Sequence, residues 1–385
     1  MTKATLALAT LCALISSCSP KTDSGPDNPT PMAIVESASQ STGPIETDFI
    51  GVGQAFQRDA QTSTTQMLAR CQSLEGDIER FLANPEASLQ LTAQSSYRLC
   101  YQSWALSQLY LQLPFTAEDK ETLVPLLDLI NTRPFLPGYI DSIPEYPYSG
   151  LIHEVDIPLG ESTLLGQHRL MDEDSAAVGF PVLEFFLWRL PIADVWHLTG
   201  NAESDIIIER RLQYLGVATR LLMDDLTKVS ARWQAGGSFS GLPERVQLVV
   251  VLASLQRLTG VALVAELFDE QVIDEPEWHH PAMFSGRGRD YPIALLTSIE
   301  QLVGKPESQT PFGQWFDSVV DQPATVGELQ TAVAASLTAV KQLPDNYPVD
   351  SSADAQWSAA RQQLAALALI FSQLSVQQQV PIFSQ

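Results

Sequence analysis

The stretch GFPVLEFFLW, residues Gly179–Trp188, is apolar on nearly every side of a helix and holds one carboxylate, that of Glu184. A helix that is apolar all round is buried in the core of a protein. Burying a charge without a partner costs several kcal/mol, so we expect Glu184 to have one. The partner is either an arginine, such as Arg133 or Arg189, or a ligand at a binding site.

Outward from this stretch, apolar residues recur with the period of a helix and almost nowhere with the period of two that strands require. The chain has 385 residues, more than one hydrophobic core normally supports. A break between Pro191 and Ser204 separates the two halves. We therefore predict an all-α protein of two helical-bundle domains, residues 48–198 and 199–385.

Two cysteines lie at similar distances on either side of a turn signal, Asn84–Glu86. In an antiparallel helical hairpin Cys71 and Cys100 come level, and an oxidising compartment would let them form a disulfide. The alternative is two buried free thiols.

The N-terminus has the order of a secretory signal: Lys3, then the apolar run Ala4–Ile15, then small residues before Cys18. A membrane-spanning anchor is the alternative, but the run is shorter than the ~20 residues needed to cross a bilayer. We predict a lipoprotein signal peptide over residues 1–17, lipid attachment at Cys18, and a flexible, Ser- and Pro-rich tether over residues 18–47. Ser19 favours the periplasmic face of the outer membrane, and no later segment is predicted to span a membrane.

The formal net charge is −23, from 22 basic and 45 acidic side chains. Such a surface repels phosphate backbones, which excludes nucleic acid as a partner. Cations are its natural small partners. The sequence has no phosphate-binding glycine loop, no dinucleotide fingerprint and no His-Glu-x-x-His helix.

Residues 133–166 form a loop rich in proline, glycine and aromatic side chains, and long loops of this kind are often functional. We expect Arg133, Tyr139 and Asp141 from this loop to lie near Glu184 and to bind a ligand with it. His153 and His279 each stand beside carboxylates, a ligand set suited to zinc, iron or copper. A solvated acidic loop is the alternative at both histidines.

The sequence resembles the imelysin family, whose hallmark is Gly-x-His-x-x-Glu followed by an aromatic-aliphatic run and Trp. Gly179, Glu184 and Trp188 stand in this register, but Pro181 replaces the histidine and can neither ligate a metal nor accept a proton. The further stretches that carry the resemblance are Trp104 with its neighbours, Asn131–Pro134, Tyr139–Asp141, and Phe284–Ser285 with Asp290.

The resemblance implies a cell-envelope protein that binds a ligand or metal, iron being the first candidate, in connection with metal acquisition. Because Pro181 has removed the motif histidine, we expect binding without catalysis. One alternative is a metallopeptidase with Glu184, His153 and His279 as its metal ligands. Another is a scaffold lipoprotein that serves a periplasmic protein partner.

Overall fold

The computed structural model describes residues 50–190, 196–234, 237–269, 280–319, 322–348 and 354–380. Within these ranges the chain is helical and forms no β-strand, which confirms the predicted fold class. The predicted signal, Cys18 and the tether lie outside the described residues, so lipid attachment stays a prediction.

The first half of the chain is built on a long helical hairpin. Helix α1 ends before the turn that Asn84–Glu86 predicts, and helix α2 follows it and ends in a 3₁₀ turn, Gln108–Tyr110. Asn201 caps the last helix of this half, 30 residues long, by accepting hydrogen bonds from the backbone N–H groups of Glu203 and Ser204. The helices are α1 (Ile50–Ala83), α2 (Ala87–Ser107), α3 (Ala117–Asn131), α4 (Pro137–Ile140), α5 (Glu161–Gln167), α6 (Phe180–Arg189) and α7 (Ala202–Ala231).

The second half contains a helix that changes its hydrogen-bonding pattern partway. Helix α8 runs over Glu244–Gln256 and continues as a wider π-helix over Arg257–Leu267. Thr325 and Glu328 form a capping box at the start of a later helix. The remaining helices are α9 (Asp290–Val303), α10 (Pro311–Ser318), α11 (Val326–Lys341) and α12 (Asp354–Gln377).

Cys71 on α1 and Cys100 on α2 form a disulfide across the hairpin, with their Cα atoms 4.6 Å apart. Both cysteines are fully buried. This confirms the prediction made from their spacing around the turn, and it joins the two helices that carry much of the first core.

Replacing both cysteines by alanine is expected to lower the free energy of unfolding by about 3 to 4 kcal/mol, because the disulfide closes a loop across a sequence separation of 29 in the unfolded chain. Urea denaturation of the oxidised protein, the reduced protein and the double variant measures this. The reduced protein should behave like the double variant. Equal stability of all three would show that the hairpin does not depend on the crosslink.

The first hydrophobic core lies between the hairpin, α3, α6 and α7. Helix α6 fills its centre, since all residues of Phe180–Leu187 are buried, as the apolar pattern predicts. The helix begins at Phe180, one residue after the start of the apolar stretch, and ends at Arg189.

The second core joins α8, its π-helical continuation and α9 to α12 with the first turns of α1. In the described chain the stretch Glu244–Leu267 is long and apolar enough to cross a membrane by length and composition. However, 78% of its most apolar window is buried inside the molecule. Core packing therefore accounts for its composition.

Helix α7 packs into the first core, although the predicted boundary at residue 198 assigns it to the second domain. The N-terminal turns of α1 pack into the second core. The hydrophobic packing thus crosses the predicted boundary in both directions, and the division into two domains stays a prediction.

Candidate functional site

Helix α6 begins abruptly because of the backbone at Gly179. The φ angle of this glycine is +93°, and a Cβ atom there would come within 2.4 Å of the carbonyl oxygen of Leu129. Only glycine fits such a position. Pro181 occupies the first turn, where a missing N–H is harmless. The start of α6 is thereby packed against the end of α3, close to the point where the chain continues into Arg133.

Glu184 is completely buried and faces two partners. Its Oε1 accepts a hydrogen bond from the backbone N–H of Ser285 at 3.0 Å. Its Oε2 lies 3.8 Å from Nη2 of Arg133, too far for a hydrogen bond, and has no other hydrogen-bond partner. Arg133 is therefore the arginine that compensates the charge, one of the two candidates that the sequence offered.

The surroundings of this pair have a low dielectric. Burial raises the pKa of Glu184, while the charge of Arg133, the contacts from Ser285 and the charge of Arg98 act against that rise. Burial also raises the pKa of Tyr97, Tyr101 and Tyr291. These phenols therefore stay protonated at neutral pH.

Two of these tyrosines form a wall beside the pair. The rings of Tyr101 and Tyr291 stack with their centroids 5.5 Å apart. Tyr97 donates a hydrogen bond to the carbonyl of Phe180, at the start of α6. Trp188, the last residue of the motif, packs against Tyr97 and lies under the guanidinium of Arg98.

A cavity of about 740 Å³ opens on the other side of Arg133, between the two cores. One of its walls is the π-helical stretch, which contributes Arg257, Ala262 and Glu266. A second cavity of about 450 Å³ is lined by Tyr97, Ser285 and other residues. Tyr291 borders both.

His280 is the one described histidine whose pKa is strongly shifted. It is fully buried, and burial lowers its pKa to about 3, so the ring is neutral. Its Nδ1 donates to the carbonyl of Pro281 at 2.7 Å, and Nε2 has no hydrogen-bond partner. His280 lies close enough to Arg133 for the guanidinium to contribute to the pKa shift.

The residues do not fit a metal centre. Among the described residues no group of three His, Cys, Asp or Glu side chains could hold an ion. His153 contacts Asp141 at 3.2 Å, and His279 lies outside the described residues. An arginine stands beside Glu184 in place of a second ligand.

The aromatic loop satisfies its own polar groups. Asp141 binds the guanidinium of Arg211 through both carboxylate oxygens, and these contacts together with His153 lower its pKa against the effect of burial. The hydroxyl of Tyr139 donates to Gln167. None of the described contacts joins Tyr139, Asp141 or His153 to Glu184, so of the predicted neighbours only Arg133 is seen beside it.

Much of the site could not be predicted from the sequence. Tyr97 and Tyr291 carry no sequence signal beyond their aromatic type, and the backbone N–H of Ser285 carries none at all. The Phe284–Ser285 stretch supported the resemblance, but its contact with Glu184 spans 101 residues and depends on the tertiary fold.

Comparison with known proteins places these features in context. The profile of the imelysin peptidase family matches residues 60–280. No curated protein sequence matches significantly. Among solved structures, an iron-regulated protein A precursor from Parabacteroides distasonis has 14% identity and a TM-score of 0.65, over 90% of this chain and 97% of its own. An imelysin-like protein from Psychrobacter arcticum has 12% identity and a TM-score of 0.57, over 88% and 99%.

Proposed function

This chain belongs to the imelysin family, and we propose that it is a non-catalytic ligand-binding lipoprotein of the bacterial envelope, linked to iron acquisition. The neighbour described as an iron-regulated protein A precursor supports the link to iron. The signal and lipid-attachment pattern before residue 19 supports the envelope location, and the periplasmic face of the outer membrane is the side we propose.

The single observation that carries the non-catalytic proposal is the pairing of Glu184 with Arg133. A metallopeptidase needs several ligands around one ion and a water that the metal activates. Here Pro181 stands at the position of the motif histidine, and the positive charge beside Glu184 belongs to a guanidinium, which neither ligates a metal nor gives up its proton.

The ligand is proposed to enter the 740 Å³ cavity and to contact Arg133, a size within the usual range for small-molecule sites. Tyr139 and Asp141 of the aromatic loop remain proposed contributors to ligand binding. Their contacts with Gln167 and Arg211 do not favour this role. A periplasmic protein partner would receive or deliver the ligand.

The test is to purify the mature protein natively from a bacterial envelope and to measure metal content, peptide cleavage and bound small molecules by native mass spectrometry. We expect a bound small molecule, no stoichiometric metal held by Glu184, and no cleavage. Glu184→Gln is compared with Glu161→Gln, a half-exposed carboxylate paired with Arg220.

Cleavage that disappears in Glu184→Gln but persists in Glu161→Gln would establish the metallopeptidase instead. A protein that carries no small molecule and binds a partner equally well with and without Glu184 would establish the scaffold.

A further inference from the structure

The 740 Å³ cavity is lined by buried nitrogen donors that make no hydrogen bond of normal geometry. Arg133 contributes Nε, Nη1 and Nη2, Arg169 contributes Nε, and Gln108 contributes Nε2. Among the described residues that line this cavity, no side-chain acceptor is buried without a partner. Arginine nitrogens can only donate, so at least four of these atoms require an acceptor.

Buried polar groups in proteins are almost always hydrogen-bonded, so several unsatisfied donors that converge on one cavity point to an acceptor group bound there. We infer that this cavity binds a small organic acid, with a carboxylate of the ligand seated on the guanidinium of Arg133. This inference rests on the proposed ligand-binding function and names the chemical class of the ligand.

Asp128 and Glu266, two of the three acidic side chains that line the cavity, lie beside arginines other than Arg133, and Glu184 behind the cavity does not hydrogen-bond to Arg133. Asp128 is bound by Arg169 at 2.6 Å, and contacts with His168 and Arg169 lower its pKa although burial opposes this. Glu266 is close enough to Arg257 for the guanidinium to lower its pKa, against a larger opposite effect of burial. Glu184 attracts Arg133 but accepts no hydrogen bond from it.

A planar guanidinium fork matches a carboxylate in two parallel hydrogen bonds. The charge of Glu184 holds Arg133 in place from one side and leaves its donors available to the cavity. At Arg133 this geometry favours an anion over a metal cation, because a cation there would face the positive charge of the guanidinium.

The apolar part of the lining distinguishes an organic acid from an inorganic anion. Leu111, Leu127, Val261 and Ala262 contribute aliphatic side chains, and Tyr291 an aromatic ring. Such a surface contacts a carbon skeleton but offers nothing to phosphate. We therefore expect carboxylates with a carbon body to bind more tightly than inorganic phosphate.

The test is isothermal titration calorimetry of the full mature chain with acetate, succinate, citrate and inorganic phosphate. We expect succinate or citrate to bind, and Arg133→Gln to weaken binding roughly tenfold or more, as expected when a charged hydrogen-bonding partner is lost. Arg133→Lys should bind these acids with intermediate affinity, because lysine keeps the positive charge but cannot form the two parallel hydrogen bonds of a guanidinium. Gln108→Leu should weaken binding by a smaller factor.

Arg220→Gln is the matched control, since this half-exposed arginine lines a different cavity and should leave affinity unchanged. If Arg133→Gln alone does not fold, Arg133→Gln combined with Glu184→Gln removes both charges, and its binding should still be lost.

Failure of acetate, succinate and citrate to bind the wild type, or unchanged binding in Arg133→Gln, would overturn the inference. A neutral or cationic small molecule found in the natively purified protein would also overturn it while leaving the proposed ligand-binding function intact. Peptide cleavage dependent on Glu184 would overturn the proposed function itself.

Discussion

Arg133→Met is expected to lower the free energy of unfolding by about 4 to 5 kcal/mol at pH 8, since it leaves the fully buried Glu184 without a compensating charge. Breaking a buried ion pair on one side costs more than the pair contributes, because the remaining charge keeps its desolvation penalty. Urea denaturation followed by circular dichroism measures the loss.

The pH dependence of this loss follows from the pKa of Glu184. Burial raises that pKa from its usual value of 4.5, so the folded protein binds a proton more tightly than the unfolded chain. The stability that protonated Glu184 contributes is fully present below about pH 4.5 and is lost as the pH rises through the raised value. Without Arg133, which lowers the pKa, that value rises further. The effect of Arg133→Met should therefore be larger at pH 8 than at pH 5.

The double variant Arg133→Met with Glu184→Gln is the control. It removes both charges, and we expect it to recover most of the lost stability at pH 8. Glu184→Gln alone should flatten the decline of wild-type stability between pH 5 and pH 8. A double variant as unstable as Arg133→Met, or a loss independent of pH, would show that Arg133 acts through packing and not through its charge.

Much of the helical framework can be predicted from local sequence patterns. The period of apolar residues and the Asn84–Glu86 turn predict the first hairpin, and with it the level placement of Cys71 and Cys100. These features depend on residues close in the chain, which is why periodicity finds them. Helix α10, Pro311–Ser318, has only eight residues, which give too few turns for such a pattern to emerge.

Features that depend on tertiary contacts escaped prediction. The π-helical stretch Arg257–Leu267 has the same apolar composition as the α-helix before it, yet it forms a wall of the cavity. The start of α6 at Phe180 is decided by the close approach of Gly179 to the carbonyls of Leu129 and Ile130. Neither the π-helical stretch nor the start of α6 can be predicted from the conformational preferences of the local sequence.

The site itself divides in the same way. A lone carboxylate in an apolar helix predicts that Glu184 has a partner. Arg133 is one of the arginines that the sequence suggests for this role. Asp141 looked equally suitable, but Arg211 of α7, 70 residues away, takes both of its oxygens. The sequence shows that a buried carboxylate needs a cationic partner. It does not show which arginine the fold brings to that carboxylate.

Arg210→Met is expected to lower the free energy of unfolding by about 4 kcal/mol or more, because the buried guanidinium holds the aromatic loop through its backbone. Its nitrogens donate to the carbonyls of four loop residues at 2.7 to 2.9 Å: Leu151, Ile152, Glu154 and Ile157. Methionine keeps the aliphatic bulk and leaves all four carbonyls without their donor.

Two further variants separate this role of Arg210 from a general effect of charge on α7. Arg210→Lys should lose less stability than Arg210→Met but not match the wild type, since an ammonium has three donors for four carbonyls. Arg220→Met on the same helix should change stability little, because its side chain is half exposed. Limited proteolysis should cut Arg210→Met first within residues 151–157. Equal stability of the Arg210 and Arg220 variants would mean that the loop is held by its apolar contacts, and that Arg210 only fills space between the loop and α7.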